Sequence, residues 1–589
     1  MPDTKVPDTK ECTLMFYFAS DNPLAISIVS QLKAIKAAGY QQDANVIVQF
    51  DPYTEGTPTH IFDVNLINKL KTGTDKIGFD GDDSFVRNLI EDKLWDEEES
   101  RNGALIRNEI REALKNSHPS SPLYAPPVPK LITSNNGNGN GNGNGNGHHV
   151  TQEAPQKATE EPSPEKSLEA FLNFCVTNYP ARHYMLFILG HGVVVGNDVF
   201  LFDENAEEHT MTLGTLRGLL RTFTDRITNQ DASFDLLGFH SCSVSSLEVA
   251  YELKDTAKYM LASQGTAFVG SWPYRQILIR IFKDIKENGH LTAAQIREMM
   301  IKIFFYCLYN STDFLMAGYP FDITLTDLSK VPNLKQPLEE LSAALIKGLA
   351  DKQCTDLILL AHWKSQSFYQ EMYTDLYDFC LCLKEKILEW NEAFETANVP
   401  LKKEVQDMLD ASMNVLDLLE KTPFEGRNTI NPEDQKVIVC SEHAGPEHQY
   451  AHGLSVYFPW SEPSRDRRIL EEYAEYKFTS EFNPGKSWLA FLTEYFRATL
   501  REPRIAHLKS RMTAEQILFE DEINLVYQQQ GPHGETALER SKTDPKDPTG
   551  GDCDCPSIKN YPHDTRDRRS RRVSAAGPLP LSESYFIAS

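Results

Sequence analysis

No stretch of this chain approaches the roughly eighteen consecutive apolar residues of a membrane span. The opening residues, MPDTKVPDTKE, lack the basic region, apolar run and small-residue cleavage site of an export signal. The expectation is a cytoplasmic protein with no membrane partner. Basic charge is scarce too, with 59 Lys and Arg against 84 Asp and Glu and a net charge of −25. Phosphate contacts need a basic field, so nucleic acid is not expected as a partner either. Cysteine pairs at metal-site spacing are missing. Cys380-Leu-Cys382 and Cys553-Asp-Cys555 have no matching second pair, and no metal is assigned to them. Cys175, Cys307 and Cys440 sit in apolar runs, where a free thiol packs as a small hydrophobe. That usage suits a reducing compartment better than a disulfide framework.

What is present is an ordinary globular composition, 40% hydrophobic and 10% aromatic over 589 residues, long enough for more than one domain. Leu14–Ala19, Asn45–Phe50, Tyr184–Leu189 and Phe234–Phe239 are short, nearly continuous apolar runs that alternate with helical patterns. Strands of that kind are buried on both faces, so the fold class is α/β with a mainly parallel sheet flanked by helices. Residues 1–115 form the N-terminal part of this core. Residues 116–166, with a Pro- and Ser-rich start and an alternating Asn-Gly tract at Asn135–Gly147, read as a disordered insertion. Residues 167–275 read as the second part of the core, 276–425 as a mainly helical region, and 426–500 as returning strands and a closing helix. The tail, 501–589, reads as largely disordered, and the basic cluster Arg566–Arg572 within it reads as a solvated charge run.

The chemistry concentrates between His183 and Trp272. HYMLFILGHG ends one apolar run at His191, and FDLLGFHSC ends the next at Cys242, 51 residues later. Both follow the carboxyl end of a strand, where parallel sheets collect their reactive groups. The histidine-before-cysteine order and the spacing match those of caspase-like proteases. A thiolate at Cys242 would be the nucleophile, and His191 would take its proton and later protonate a leaving amine. Gly190 and Gly192 are expected to give the imidazole backbone freedom. A helix is expected just after Cys242, which would put the thiol near positive dipole ends. Backbone N–H groups of Gly192 and Cys242 are candidates for an oxyanion hole. His240, two residues before the thiol, is a rival imidazole; it is assigned instead to the substrate pocket, with Gly270 and Trp272.

Several motifs in order then resemble the clostripain family of cysteine peptidases, relatives of caspases, gingipains, legumains and separase. LMFYFASDNPL and NVIVQFD are similar to the family's opening strand, Ala-Asp-Asn turn and second strand. LFILGHG resembles its histidine motif, DLLGFHSC its cysteine motif, and GSWPY the segment that follows. GLSVYFP and SWLAFLTEYF resemble its last strand and closing helix. This resemblance implies a caspase-like fold and hydrolysis of peptide bonds in protein or peptide substrates by the His191–Cys242 dyad, without a required third member. It also implies a zymogen processed by proteolysis, with an activating protease or regulatory protein as partner, and calcium in some members. Asp80-Gly-Asp-Asp83 and Glu97-Glu-Glu99 do not amount to a calcium site, and no cofactor is assigned. The family's pocket acids for Arg or Lys fall where this chain has His240 and Gly270, which argues against strict basic specificity and leaves a neutral or an acidic P1 residue. The competing readings are a catalytically silent caspase-like scaffold that binds partner proteins, and an acyltransferase using the same pair.

Overall fold

The computed structural model describes residues 9–20, 22, 24–50, 60–65, 163–195, 200–203, 209–227, 232–316, 319–369, 371–395, 402–419, 436–463 and 468–501. Five strands run parallel at its centre: β1 (Lys10–Phe18), β2 (Ala44–Phe50), β4 (Ala181–Leu189), β5 (Phe234–His240) and β6 (Ala257–Ala262). β3 (His60–Asp63) closes one edge antiparallel to β2. β7 (Phe321–Asp327) and β10 (Ile438–Ala444) close the other edge antiparallel to β6 and to each other. Among the described residues the sheet therefore has eight strands, in the order β10-β7-β6-β5-β4-β1-β2-β3.

Period-two alternation explains why these runs become strands buried on both sides. In β1, Cys12, Leu14, Phe16 and Phe18 face one apolar layer, while Met15 and Tyr17 face the other. The first layer is completed by the helices Ala25–Lys36, Tyr274–Asn288 and Ala293–Met316. The second is completed by Pro164–Asn178, Leu213–Thr224, Leu247–Leu253 and Lys335–Gly348. The two layers occupy opposite faces, and the loops at the carboxyl ends of β1, β4, β5 and β6 share one rim. A second sheet of three short strands lies beside that rim, in the order β11 (Ser455–Tyr457), β9 (Tyr373–Asp375), β8 (Ser367–Phe368). It is tied to the start of the helix Leu247–Leu253, in the segment that follows β5, by a bridge between Ser246 and Ser455.

Two expectations change in detail. The expected insertion, 116–166, runs too far: Pro164 already opens the helix Pro164–Asn178, in the first-turn position where its missing N–H costs nothing. The region 276–425 is mainly helical, yet it also supplies β7 to the central sheet, so it is woven into the core instead of appended to it. The remainder of the expected insertion, the two acidic clusters, the basic cluster, the tail and the Cys553–Cys555 pair lie outside the described residues. No helix among the described residues is long and apolar enough to cross a membrane. The eight described cysteines are all buried, and none is in a disulfide.

Candidate active site

β4 and β5 are paired in parallel with Leu189 opposite His240. Two residues further along each strand stand His191 and Cys242, so the register itself brings the imidazole and the thiol to equivalent positions on neighbouring strand ends. The main chains then pinch together. Val193 N–H donates to the Cys242 carbonyl at 2.9 Å, and a Cβ on Gly192 would fall 1.6 Å from that oxygen and 2.6 Å from the Cys242 nitrogen.

This corrects the expected role of the glycines. Neither Gly190 nor Gly192 adopts a left-handed conformation. Gly190 is a glycine because a Cβ there would meet the Ala19 Cβ at 2.8 Å, and Gly192 because Cys242 occupies the space. The left-handed residues are their neighbours: Val193 at φ 66°, Leu201 at 52° and Ser243 at 55°. A β-branched valine in that region is strained by about 1–3 kcal/mol. The strain clusters on both sides of the dyad.

His191 is 4% exposed. Its imidazole meets the ring of Phe202 edge-on, with centroids 6.2 Å apart, and its carbonyl accepts the Leu201 N–H at 3.0 Å. Phe202 is in turn fastened by Asn22, a fully buried side chain. The Asn22 amide donates to the Phe202 carbonyl at 2.8 Å and to the Ala19 carbonyl at 3.0 Å, and its oxygen accepts the Leu24 N–H. The turn after β1 thus reaches across to steady the histidine loop. Burial alone pulls the His191 imidazole down to about 4, because a charged ring loses its hydration there.

Cys242 is 2% exposed. Its sulfur accepts the Ala267 N–H at 3.3 Å, and the thiol points back at the Ala267 carbonyl at 3.7 Å. Burial pushes the thiol up to about 12; the bond to Ala267 works the other way, and the Asp322 carboxylate adds to the rise. The helix expected just after Cys242 begins later, at Leu247, with Ser246 capping the Val249 N–H at 3.4 Å. A left-handed turn at Ser243 separates that helix from the thiol, so the main-chain donor on the sulfur comes from the loop after β6. The resting pair at neutral pH is a neutral thiol and a neutral imidazole.

His240, which the sequence assigned to the substrate pocket, is enclosed in this resting form. It is fully buried on the face of β5 opposite the helix Leu247–Leu253 and stacks on Trp272 with centroids 4.9 Å apart. Gly238, one pleat away, leaves room for this stack: a Cβ there would meet Phe187 at 2.8 Å and Trp272 at 3.0 Å. Nε2 of His240 lies 2.6 Å from the Phe268 carbonyl, to which it must donate, and 3.2 Å from Ser271 Oγ. Nδ1 then accepts from the Tyr274 hydroxyl at 3.0 Å. Burial, partly offset by the Phe268 carbonyl, holds this ring at about 4 and therefore neutral at physiological pH. Trp272 is 2% exposed and belongs to the same buried stack. Gly270 alone of the three is exposed, and its carbonyl takes a hydrogen bond from Asn310 at 2.7 Å. Among the described residues no group of three or more His, Cys, Asp or Glu side chains is arranged to hold a metal ion.

Asn22 was visible in the sequence only as a turn residue. Ala267 carried no signal, since it acts through its main chain.

The sequence model of the clostripain family matches residues 17–498. Clostripain of Hathewaya histolytica is 24% identical over 253 residues, a match covering 36% of this chain and 46% of that protein, so the chain spans less than half the length of this relative. An inactive zymogen C11 protease from Parabacteroides distasonis superposes with a TM-score of 0.42 at 14% identity, over 81% of this chain and all of that one. A secreted C11 cysteine protease from Bacteroides thetaiotaomicron, solved with an irreversible peptide inhibitor, superposes at 0.40 with 12% identity, over 82% of this chain and 99% of that one.

Proposed function

The chain belongs to the clostripain family, and from that premise we propose that it is a cysteine endopeptidase in which Cys242 attacks the scissile carbonyl and His191 carries the proton. The observation that carries this reading is the juxtaposition at the ends of β4 and β5, with Gly192 pressed on the main chain of Cys242. The sulfur forms a bond to the carbonyl carbon as its proton passes to the imidazole, and negative charge gathers on the former carbonyl oxygen. The N–H groups of Gly192 and Cys242 are the assigned donors to that oxygen. His191 returns the proton to the leaving nitrogen as the C–N bond breaks, giving a thioester and a free amine. Water, deprotonated by the same imidazole, then releases the acid and restores the thiol.

The P1 residue on this reading is neutral. The buried His240 ring offers no charge to an acidic side chain, and neither His240 nor Gly270 offers a carboxylate to a basic one. The proposal extends to regulation: burial of the thiol supports a latent form that activation must open. Proteolytic processing within 116–166, by this or another protease, is the proposed trigger.

The test is mass spectrometry of peptide libraries incubated with wild type and with Cys242→Ala, before and after nicking the insertion. New N-termini produced by wild type alone, after neutral residues, are expected. Cleavage after Arg or Lys would overturn the pocket assignment. Cleavage by both proteins, or by neither before or after nicking, would overturn the peptidase reading and favour the scaffold.

A further inference from the structure

Asp322, near the start of β7, is a buried carboxylate that no step of the proposed chemistry uses. Its two oxygens accept consecutive main-chain N–H groups, Gln264 at 2.5 Å and Gly265 at 2.9 Å, in the loop that leaves β6. The carbonyl of Gly265 accepts the Ser243 N–H at 2.9 Å, directly after the nucleophile. Gly265 is thereby bracketed, its N–H on Asp322 and its carbonyl on the turn that carries Cys242. Two residues later the same loop delivers the Ala267 N–H to the sulfur at 3.3 Å.

The other side of Gly265 is closed by His448. A Cβ on Gly265 would come within 2.2 Å of that ring's Cε1 and 2.6 Å of its Nε2. The ring's Nδ1 stands 3.1 Å from Asp322 Oδ1, close but off the line of a hydrogen bond. Gln264 adds a third tether, donating to Asp375 at 2.9 Å while accepting the Gly453 N–H at 2.9 Å. Two backbone amides and the His448 imidazole face Asp322, with the Asp375 carboxylate across Gln264 and His443 opposite it on β10.

We propose that Asp322 is a positioning residue for the nucleophile: its carboxylate holds the Gln264 and Gly265 peptides so that the Ala267 N–H meets the Cys242 sulfur. The sign of its charge supports a geometric role. A nearby carboxylate disfavours a thiolate, and Asp322 does raise the Cys242 titration. Any contribution it makes to catalysis must come through the loop it holds, whose displacement by even an ångström misaims the donor on the sulfur.

This inference rests on the peptidase reading, and the experiment separates the two. Full-length Asp322→Asn is compared with wild type by hydrogen–deuterium exchange over residues 264–271 and by kcat and KM on a cleaved peptide. An asparagine accepts one of the two N–H groups and turns an NH2 toward the other. The expected result is exchange at least about ten-fold faster in that loop, kcat lower by about 10- to 100-fold, and KM within about three-fold. Unchanged exchange overturns the proposal, as does a kcat that holds or rises, the outcome of neutralising a charge beside a thiolate. Gly265→Ala keeps the carboxylate but drives the loop against His448. It is expected to lose kcat similarly, and adding His448→Ala is expected to restore at least about ten-fold. Full activity in Gly265→Ala, or no rescue, also overturns the proposal. A wild type that cleaves no peptide, nicked or intact, sinks the peptidase reading, while the exchange comparison still decides whether Asp322 holds the loop.

Discussion

Gly192 and Cys242 meet main chain to main chain, so closely that a Cβ on the glycine would lie 1.6 Å from the cysteine carbonyl oxygen. The contact joins the loop that carries His191 to the turn that carries Cys242.

Gly192→Ala is therefore expected to part the two strand ends. The overpacking should cost about 1–3 kcal/mol of stability and lower kcat by about 100-fold or more. Chemical denaturation and steady-state kinetics on the same preparation check both. Wild-type turnover in this variant would show that the contact does not set the dyad geometry.

The Cys242 thiol, raised to about 12 by burial, should resist alkylation at neutral pH. A raised titration means fewer thiolates at any given pH, so iodoacetamide labelling of Cys242 in the resting protein should climb only in strongly alkaline solution. In urea it should follow an ordinary cysteine, near 8.5. Peptide-resolved mass spectrometry reads this directly, and rapid labelling of native protein at pH 7 would contradict the closed resting site.

His240→Asp restores the acid implied by the family resemblance, but places it in a fully buried aromatic stack. The expected result is a loss of about 3 kcal/mol or more, because an unpaired buried carboxylate is expensive, and no gain of cleavage after Arg. An undiminished melting temperature together with new Arg specificity would show that His240 does line the pocket.

At the opposite end of the sheet, Nδ1 of His183 pairs with Asp235 at 2.9 Å, and Lys258 caps the other Asp235 oxygen at 2.9 Å. Burial taken alone lowers the His183 titration; the hydrogen bond and charge of Asp235, with Glu11, overcome it and leave the net shift upward, while Lys258 opposes. A histidine whose folded value exceeds its unfolded one of about 6.5 stabilises the fold fully below that pH. The contribution is lost as pH rises through the folded value. His183→Asn should consequently cost about 1–2 kcal/mol at pH 5.5 and less at pH 9. Urea melts at the two pH values check the sign, and an equal cost at both would remove the charged pair.

Much of the architecture was legible in the chain. The runs at Leu14–Ala19, Asn45–Phe50, Tyr184–Leu189 and Phe234–Phe239 became β1, β2, β4 and β5 because a strand buried on both faces needs continuous apolar sequence. β6 and β7 were harder to see. Ala257–Ala262 carries a lysine and a tyrosine, only half buried, directly after its first residue, and Phe321–Asp327 alternates apolar with polar residues inside a helical region. His240 shows the limit most clearly. Its place two residues before the thiol marked it as a pocket candidate, but nothing in the sequence showed that its ring stacks on Trp272, in the space that a side chain at position 238 would have contested.

By itself the sequence determined the parallel sheet, the two strand ends that carry His191 and Cys242, and the family resemblance, because hydrophobic periodicity and short motifs are local properties of a chain. Only the tertiary structure decided that the thiol rests buried against Ala267, that Asn22 steadies the histidine loop through Phe202, and that Asp322 grips the loop after β6. Those contacts join residues tens to hundreds of positions apart, largely through backbone N–H and C=O groups that every residue type carries, so no residue letter could announce them.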